Sequence, residues 1–90
     1  MRIDRFLFFI RLLKSRTLAQ ALIETGHVRI DGKRVEKPSE TVRVGNVIGL
    51  PLHGRVLILK VLSLPTRRGP AAEARACYEE VAVDAKSRPT

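Results

Sequence analysis

Two short stretches concentrate the residues able to hold an anion: Lys14-Ser15-Arg16-Thr17 and Arg29-Ile30-Asp31-Gly32-Lys33-Arg34. Arg presents a planar fork that meets phosphate oxygens in pairs, and Lys adds point charge. Ser15 is placed to cap a helix, and the free N–H groups of a helix start receive phosphate oxygens. Arg11 stands before the first stretch and Lys37 after the second. Gln20 lies one helical turn beyond Arg16, where an amide can meet sugar or base edges. Arg2 and Arg5 extend the set at the chain start. The chemistry these residues offer is neutralisation of a polyanion by shape and charge, with no bond made or broken.

Other chemistries find little support. Ser15 has no His or Lys at the spacing of a nucleophile motif, so it reads as a cap or phosphate ligand. His27 and His53 are isolated near turns, and no Cys-x-x-Cys or His-x-x-x-His occurs. No metal site and no cofactor are expected. Cys77 is the single cysteine, which rules out an internal disulfide and is compatible with a reducing, cytoplasmic location. With three Phe, one Tyr and no Trp, an aromatic platform for stacked bases is not expected. Phe8 and Phe9 are expected to pack rather than to stack on bases.

The whole chain supports the charge reading. Ninety residues make one small domain with a thin core. Seventeen Lys and Arg against nine Asp and Glu leave a net charge of +8, a self-repulsion most simply explained by a polyanionic partner. Residues 1–37 carry nine basic and four acidic side chains, and residues 38–69 carry five and one. Residues 70–90 carry three and four, so the basic footprint belongs to the first two thirds. The apolar run Phe6–Ile10 is cut by Arg5 and Arg11 and is too short to span a bilayer, and no signal peptide is expected.

The elements that must position these residues follow from spacing. Ile3, Phe6, Leu7, Ile10 and Leu13 form a helical stripe, predicting a first helix that ends near Leu13. Asp4 is expected to act as a first-turn acid or cap, with a further pairing to Arg2 or Arg5. A second helix starts after Ser15, with Leu18, Ala21, Leu22 and Thr25 as its apolar face, and ends at Gly26. Glu24 and Asp31 lie near the basic residues, where they either hold Arg side chains through charge-assisted hydrogen bonds or simply belong to a mixed surface. Asp31-Gly32 predicts a tight hairpin turn between Val28–Ile30 and Lys33–Val35. Val47–Leu52 and Arg55–Leu62 read as two further strands, joined at His53-Gly54. After Arg67-Arg68-Gly69-Pro70, helix formers predict a short helix packed on the sheet. Its inner face would carry Ala74, Cys77, Tyr78 and Val81. Lys86–Thr90 are expected to fray. The predicted class is α+β: two N-terminal helices on a small, mostly antiparallel curved sheet, with a short C-terminal helix.

Three pieces in order, Arg2–Leu7, Lys14–Ala19 and Ile23–Lys33, resemble the RNA-binding domain named after small-subunit ribosomal protein four. This S-four domain is also known as the αL RNA-binding motif. The resemblance spans roughly the first sixty residues and places Asp31 where the family usually has Asn. It implies an RNA-binding domain over residues 1–64, and the change of composition after it reads as an extension with a short helix over 65–85 and a disordered tail over 86–90. A narrower resemblance covers Arg67-Arg68, Ala71, Glu73-Ala74 and Tyr78-Glu79-Glu80. These look like the segment after the S-four domain in the fifteen-kilodalton heat-shock protein family. That resemblance implies a non-catalytic protein binding ribosomal RNA and peptidyl-transfer RNA on an obstructed large ribosomal subunit. It further implies a role in rescue or quality control. No membrane partner is expected, because the charge does not form one polar face of a long amphipathic helix. A monomer is expected. Longer members continue into a basic extension, and members often carry Trp in helix one where this chain has Phe6 and Phe8.

Two other classes fit parts of the pattern. A helix-turn-helix DNA-binding protein would start with two helices, but helix two offers mainly Arg16 and Gln20 for reading bases. A detached RNA-targeting module of an RNA-modifying system would share the domain without the catalytic part.

Overall fold

The structure, a computed structural model, describes residues 1–83. The first helix, α1, spans Ile3–Phe9 and the second, α2, spans Arg16–Glu24. Strands β1 (Arg29–Ile30) and β2 (Lys33–Arg34) form the predicted hairpin. Strands β3 (Val47–Leu52) and β4 (Arg55–Val61) form a second hairpin. A five-residue helix, α3 (Ala71–Arg75), leads into β5 (Tyr78–Val83). The strands form one antiparallel sheet in the order β2-β1-β3-β4-β5. The fold is α+β.

The core lies between the two helices and one face of the sheet. Helix α1 contributes Ile3, Phe6, Leu7 and Ile10, all essentially inaccessible. Opposite them sit Ile48 and Leu50 from β3 and Leu57, Leu59 and Val61 from β4. These strand residues alternate with more exposed ones, as expected of a sheet buried on one face. Complete burial of each large aliphatic or aromatic side chain favours folding by about 1.5–3 kcal/mol.

Three expectations about the elements change in the structure. Helix α1 stops at Phe9 rather than near Leu13 because Arg11 takes φ +66°. The Arg11 N–H donates to the Phe8 carbonyl at 3.1 Å and the Leu12 N–H to the Leu7 carbonyl at 3.2 Å. This pair of bonds is the Schellman helix ending, with Arg at the left-handed position where Gly is usual. Helix α2 buries Ala19 and Ile23 and leaves Leu18 half exposed, so its inner face is rotated from the predicted one. The tail helix is a single turn and a half, and Tyr78 onward adds a strand to the free edge of β4 instead of continuing the helix. A β-bulge between Ile58 and Leu59 accommodates that strand. Asp4 is the first-turn acid of α1 and pairs with Arg2, as expected, while the N-cap, Arg2, makes no side-chain cap bond. The expectation for residues 86–90 lies outside the described residues.

The other local readings agree with the structure. Ser15 Oγ accepts the Leu18 N–H at 3.1 Å, which makes it the N-cap of α2. Gly26 ends the helix at φ +85°. Asp31 and Gly32 take φ +51° and +84°, the two positive values a type I′ turn requires.

Candidate nucleic-acid interface

The centre of the site is Asp4, a fully buried carboxylate on α1. Two elements bring donors to it. From the helix start, Arg2 Nε donates to Oδ1 and Nη2 to Oδ2, each at 3.1 Å, a bidentate pair. From α2, Gln20 Nε2 donates to Oδ2 at 2.9 Å, and Arg16 Nη2 lies 3.4 Å from the same oxygen. Arg16 and Gln20 are four residues apart, so one face of α2 carries both. Burial opposes ionisation of Asp4 and would raise its pKa. Hydrogen bonds from Gln20 and Arg2, the Arg2 charge and the Arg5 backbone N–H outweigh it and hold the carboxyl below its ordinary value of 3.8. The carboxylate therefore stays charged at neutral pH and fixes two guanidinium groups beside the first turn of α2.

That first turn is open. Ser15 satisfies the Leu18 N–H, and no hydrogen bond to the Arg16 or Thr17 N–H is formed among the described residues. Thr17 and Lys14 are exposed beside it. Arg16 Nε is buried without a hydrogen-bond partner, so the protein satisfies its guanidinium only in part. Gln20 is committed to Asp4, which leaves its carbonyl oxygen as the group free for sugar or base.

The hairpin forms the second part of the predicted set. Arg29 and Arg34 are directly opposed across β1 and β2, and Lys33 opposes Ile30. Arg34 Nε lies 3.6 Å from a Glu36 carboxylate oxygen, with both side chains exposed. Its stem runs within 3.6 Å of the space beside Gly26, which ties the hairpin to the end of α2. Asp31 holds no Arg. It accepts from the Asn46 side chain and the Val47 N–H, both at 2.8 Å, and so fixes the turn to β3. The Lys37 N–H donates to the Glu40 carboxylate at 3.3 Å, leaving its ammonium group exposed. Arg5 is exposed on α1.

Arg11 stands apart. Its Nε donates to the Gly69 carbonyl at 2.6 Å, so its guanidinium turns toward the C-terminal segment rather than toward Asp4. Arg68 reaches back in the same region. It lies 4.8 Å above the Phe8 ring and donates from Nε to the Phe8 carbonyl at 3.1 Å. Phe8 thus packs under the extension. Cys77 is buried. Asp4 as organiser was the part that sequence reasoning missed. Its signal was the combination of a first-turn acid, a preceding Arg and the Arg16/Gln20 pair, which only the packing of α1 on α2 unites.

Residues 1–48 match the family model of the S4 domain. The chain belongs to the S4 domain family. Over 87 residues, 97% of its length, it is 33% identical to the Heat shock protein 15 homolog of Haemophilus influenzae. It is 34% identical over the same length to Heat shock protein 15 of Escherichia coli. The chain spans just under two thirds of these curated relatives, 66% and 65% of their lengths. A 49-residue stretch is 45% identical to small ribosomal subunit protein uS4 of Lacticaseibacillus casei and covers 24% of that protein. Among solved structures, the trimeric structure of Vibrio cholerae Heat Shock Protein 15 superposes with a TM-score of 0.85 at 33% identity. That match covers 91% of this S4-domain chain and 82% of the other.

Proposed function

We propose that this S4-domain protein is a non-catalytic binder of structured RNA. It acts on the large ribosomal subunit, in rescue or quality control of subunits obstructed by a nascent chain and its transfer RNA. Membership of the S4 domain family and similarity to Heat shock proteins 15 and uS4 support the RNA and ribosome part. The observation that carries the reading is the Asp4 hub. A fully buried carboxylate fixes Arg2 and Arg16 beside an open helix start, and Lys14, Ser15 and Thr17 line that start. Fixed guanidinium forks and free helix N–H groups read phosphate spacing and shape rather than base sequence. Arg29, Lys33, Arg34 and Lys37 extend contact along the hairpin, and Arg5 along α1. The protein works in the cytoplasm as a monomer, one chain for each RNA site. No helix of the described residues is long and apolar enough to cross a membrane.

Salt dependence tests the RNA reading. Neutralising about five phosphates gives a slope of log affinity on log salt of roughly −3.5 to −4.5. The variant Lys14→Ala with Lys33→Ala removes two exposed charges that make no ion pair among the described residues. It should fold normally and flatten the slope by about 1.4–1.8. An unchanged slope overturns the assigned surface. Gradient sedimentation of gently lysed cells tests the ribosomal part. Co-migration with free large subunits is expected, and co-migration with small subunits alone refutes it.

A further inference from the structure

A second basic cluster lies at the other end of α1, and none of the residues around Asp4 takes part in it. A cleft of about 250 Å³ is lined by Arg11, His53, Arg55, Arg75, Tyr78 and Glu80, with Leu12, Leu52 and Leu57 as its floor. Four separate parts of the chain build it. Arg11 comes from the Schellman ending of α1, and His53 and Arg55 from the β3–β4 turn. Arg75 is the last residue of α3, and Tyr78 and Glu80 lie on β5. Tyr78 opposes Val61 and Glu80 opposes Leu59, so both side chains lie on the helix-bearing face of the sheet.

The lining points to a ligand. Arg11, His53, Arg55 and Arg75 line the cleft against one acidic residue, Glu80, and among the described residues none of the three Arg side chains is ion-paired. Gathering like charges at one cleft costs folding energy, and for Arg55 and Arg75 no ion pair among the described residues offsets it. The volume lies below the roughly 300–1,000 Å³ of pockets that enclose small organic ligands, and it suits a single tetrahedral anion.

We propose that this cleft is a second phosphate-binding site, and that its ligand is a phosphodiester of the same RNA held at the Asp4 hub. Arg55 and Arg75 grip the phosphate from two sides, and the Tyr78 hydroxyl donates to it. Arg11 adds charge while its Nε stays on Gly69. The assignment rests on the RNA-binding reading above, and it gives the extension after residue 64 a direct part in binding.

The test separates the two sites. The variant Arg55→Ala with Arg75→Ala is compared with wild-type protein in salt titrations on a structured RNA, with circular dichroism to verify the fold. The salt slope should become shallower by about 1.4–1.8, the loss of two phosphate contacts. Glu80→Gln, which removes the carboxylate from the wall, should tighten binding. Amide shifts of His53, Arg55 and Tyr78 are followed by NMR as a short RNA, pyrophosphate or oligoglutamate is added. Saturating shifts with RNA, at concentrations where the other two give none, support the assignment. An unchanged slope together with an unchanged affinity for Glu80→Gln overturns it. Equal shifts with pyrophosphate or oligoglutamate overturn the RNA assignment of the cleft. RNA shifts at the cleft without shifts around Lys14 and Arg16 refute the first site and the claim that one RNA spans both, and leave the cleft as an RNA site of its own. The reverse pattern does the opposite.

Discussion

The Asp4→Asn substitution probes the organising role of the buried carboxylate directly. Its cost follows from three contacts. The Gln20 bond, 2.9 Å to a fully buried oxygen, is a hydrogen bond to a charged group, worth about 1.5–3 kcal/mol. The Arg2 and Arg16 side chains are 44% and 38% exposed, so water replaces part of what they lose. Each of those pairs then counts at the exposed-pair scale of about 0.2–1 kcal/mol. Asparagine keeps one accepting oxygen, so the net loss is about 2–3 kcal/mol. For a domain of this size that lowers Tm by on the order of 10–20 °C. Denaturant titration at pH 7 measures it.

The same pair of proteins tests the pH dependence. The folded pKa of Asp4 lies below the ordinary value of 3.8. Above 3.8 the carboxyl is ionised in both folded and unfolded chains, and its stabilisation is fully present. As pH falls from there through the lower folded value, that stabilisation is lost. The stability gap between wild type and Asp4→Asn should therefore close in acid. RNA affinity supplies an independent readout, because the substitution raises net charge by one. A diffuse charge cloud would bind RNA more tightly, whereas the fixed guanidinium arrangement predicts weaker binding. A stability loss under about 0.5 kcal/mol, within the range of inert surface changes, or tighter RNA binding would refute the organising role.

Three further outcomes follow from the local geometry. Ser15→Ala removes the α2 cap and should cost about 1 kcal/mol, read as a shift in denaturant midpoint. Arg11→Gly should be more stable than Arg11→Ala by about 1 kcal/mol, because only Gly relieves the left-handed position while both lose the bond to Gly69. Gly32→Ala meets no atom within 4 Å, so its expected cost of about 1–2 kcal/mol is backbone strain alone, and thermal melts should show no change in cooperativity.

Much of this molecule was readable locally. The Ser15 cap, the Gly26 helix end and the Asp31-Gly32 turn each depend on a few adjacent residues, and each carries a residue type with a specific conformational preference. The S4-domain resemblance was readable because its pieces occur in order over a short span. What was missed depends on contacts far apart in sequence. Arg11 ends α1 in a conformation usually left to Gly, and its bond to Gly69 lies across the fold. Tyr78–Val83 has alternating valines suited to a strand, but the alanine-rich run before it extended the helical reading. Only the open edge of β4 decides in favour of a strand. The Asp4 hub needs α1 and α2 packed together before Gln20 and Arg16 can meet the carboxylate.

The burial of Asp4 makes sense only if fixing cations matters more than gaining stability. Desolvating a carboxylate costs several kcal/mol, and apolar side chains of matching shape often replace buried ion pairs without loss. A chain already carrying +8 gains little from one more neutralised pair at its surface. What burial adds is direction. In the proposed complex, Arg2 and Arg16, held on a carboxylate buried between two helices, lose rotamer freedom when the protein folds rather than when RNA arrives. That ordering cost, about 0.5–1.5 kcal/mol for each long side chain, is then absent from the binding step. A small domain has few ways to hold long flexible cations still. Packing them against one inaccessible anion, beside a helix start whose N–H groups are already aligned, is a way that needs only two helices.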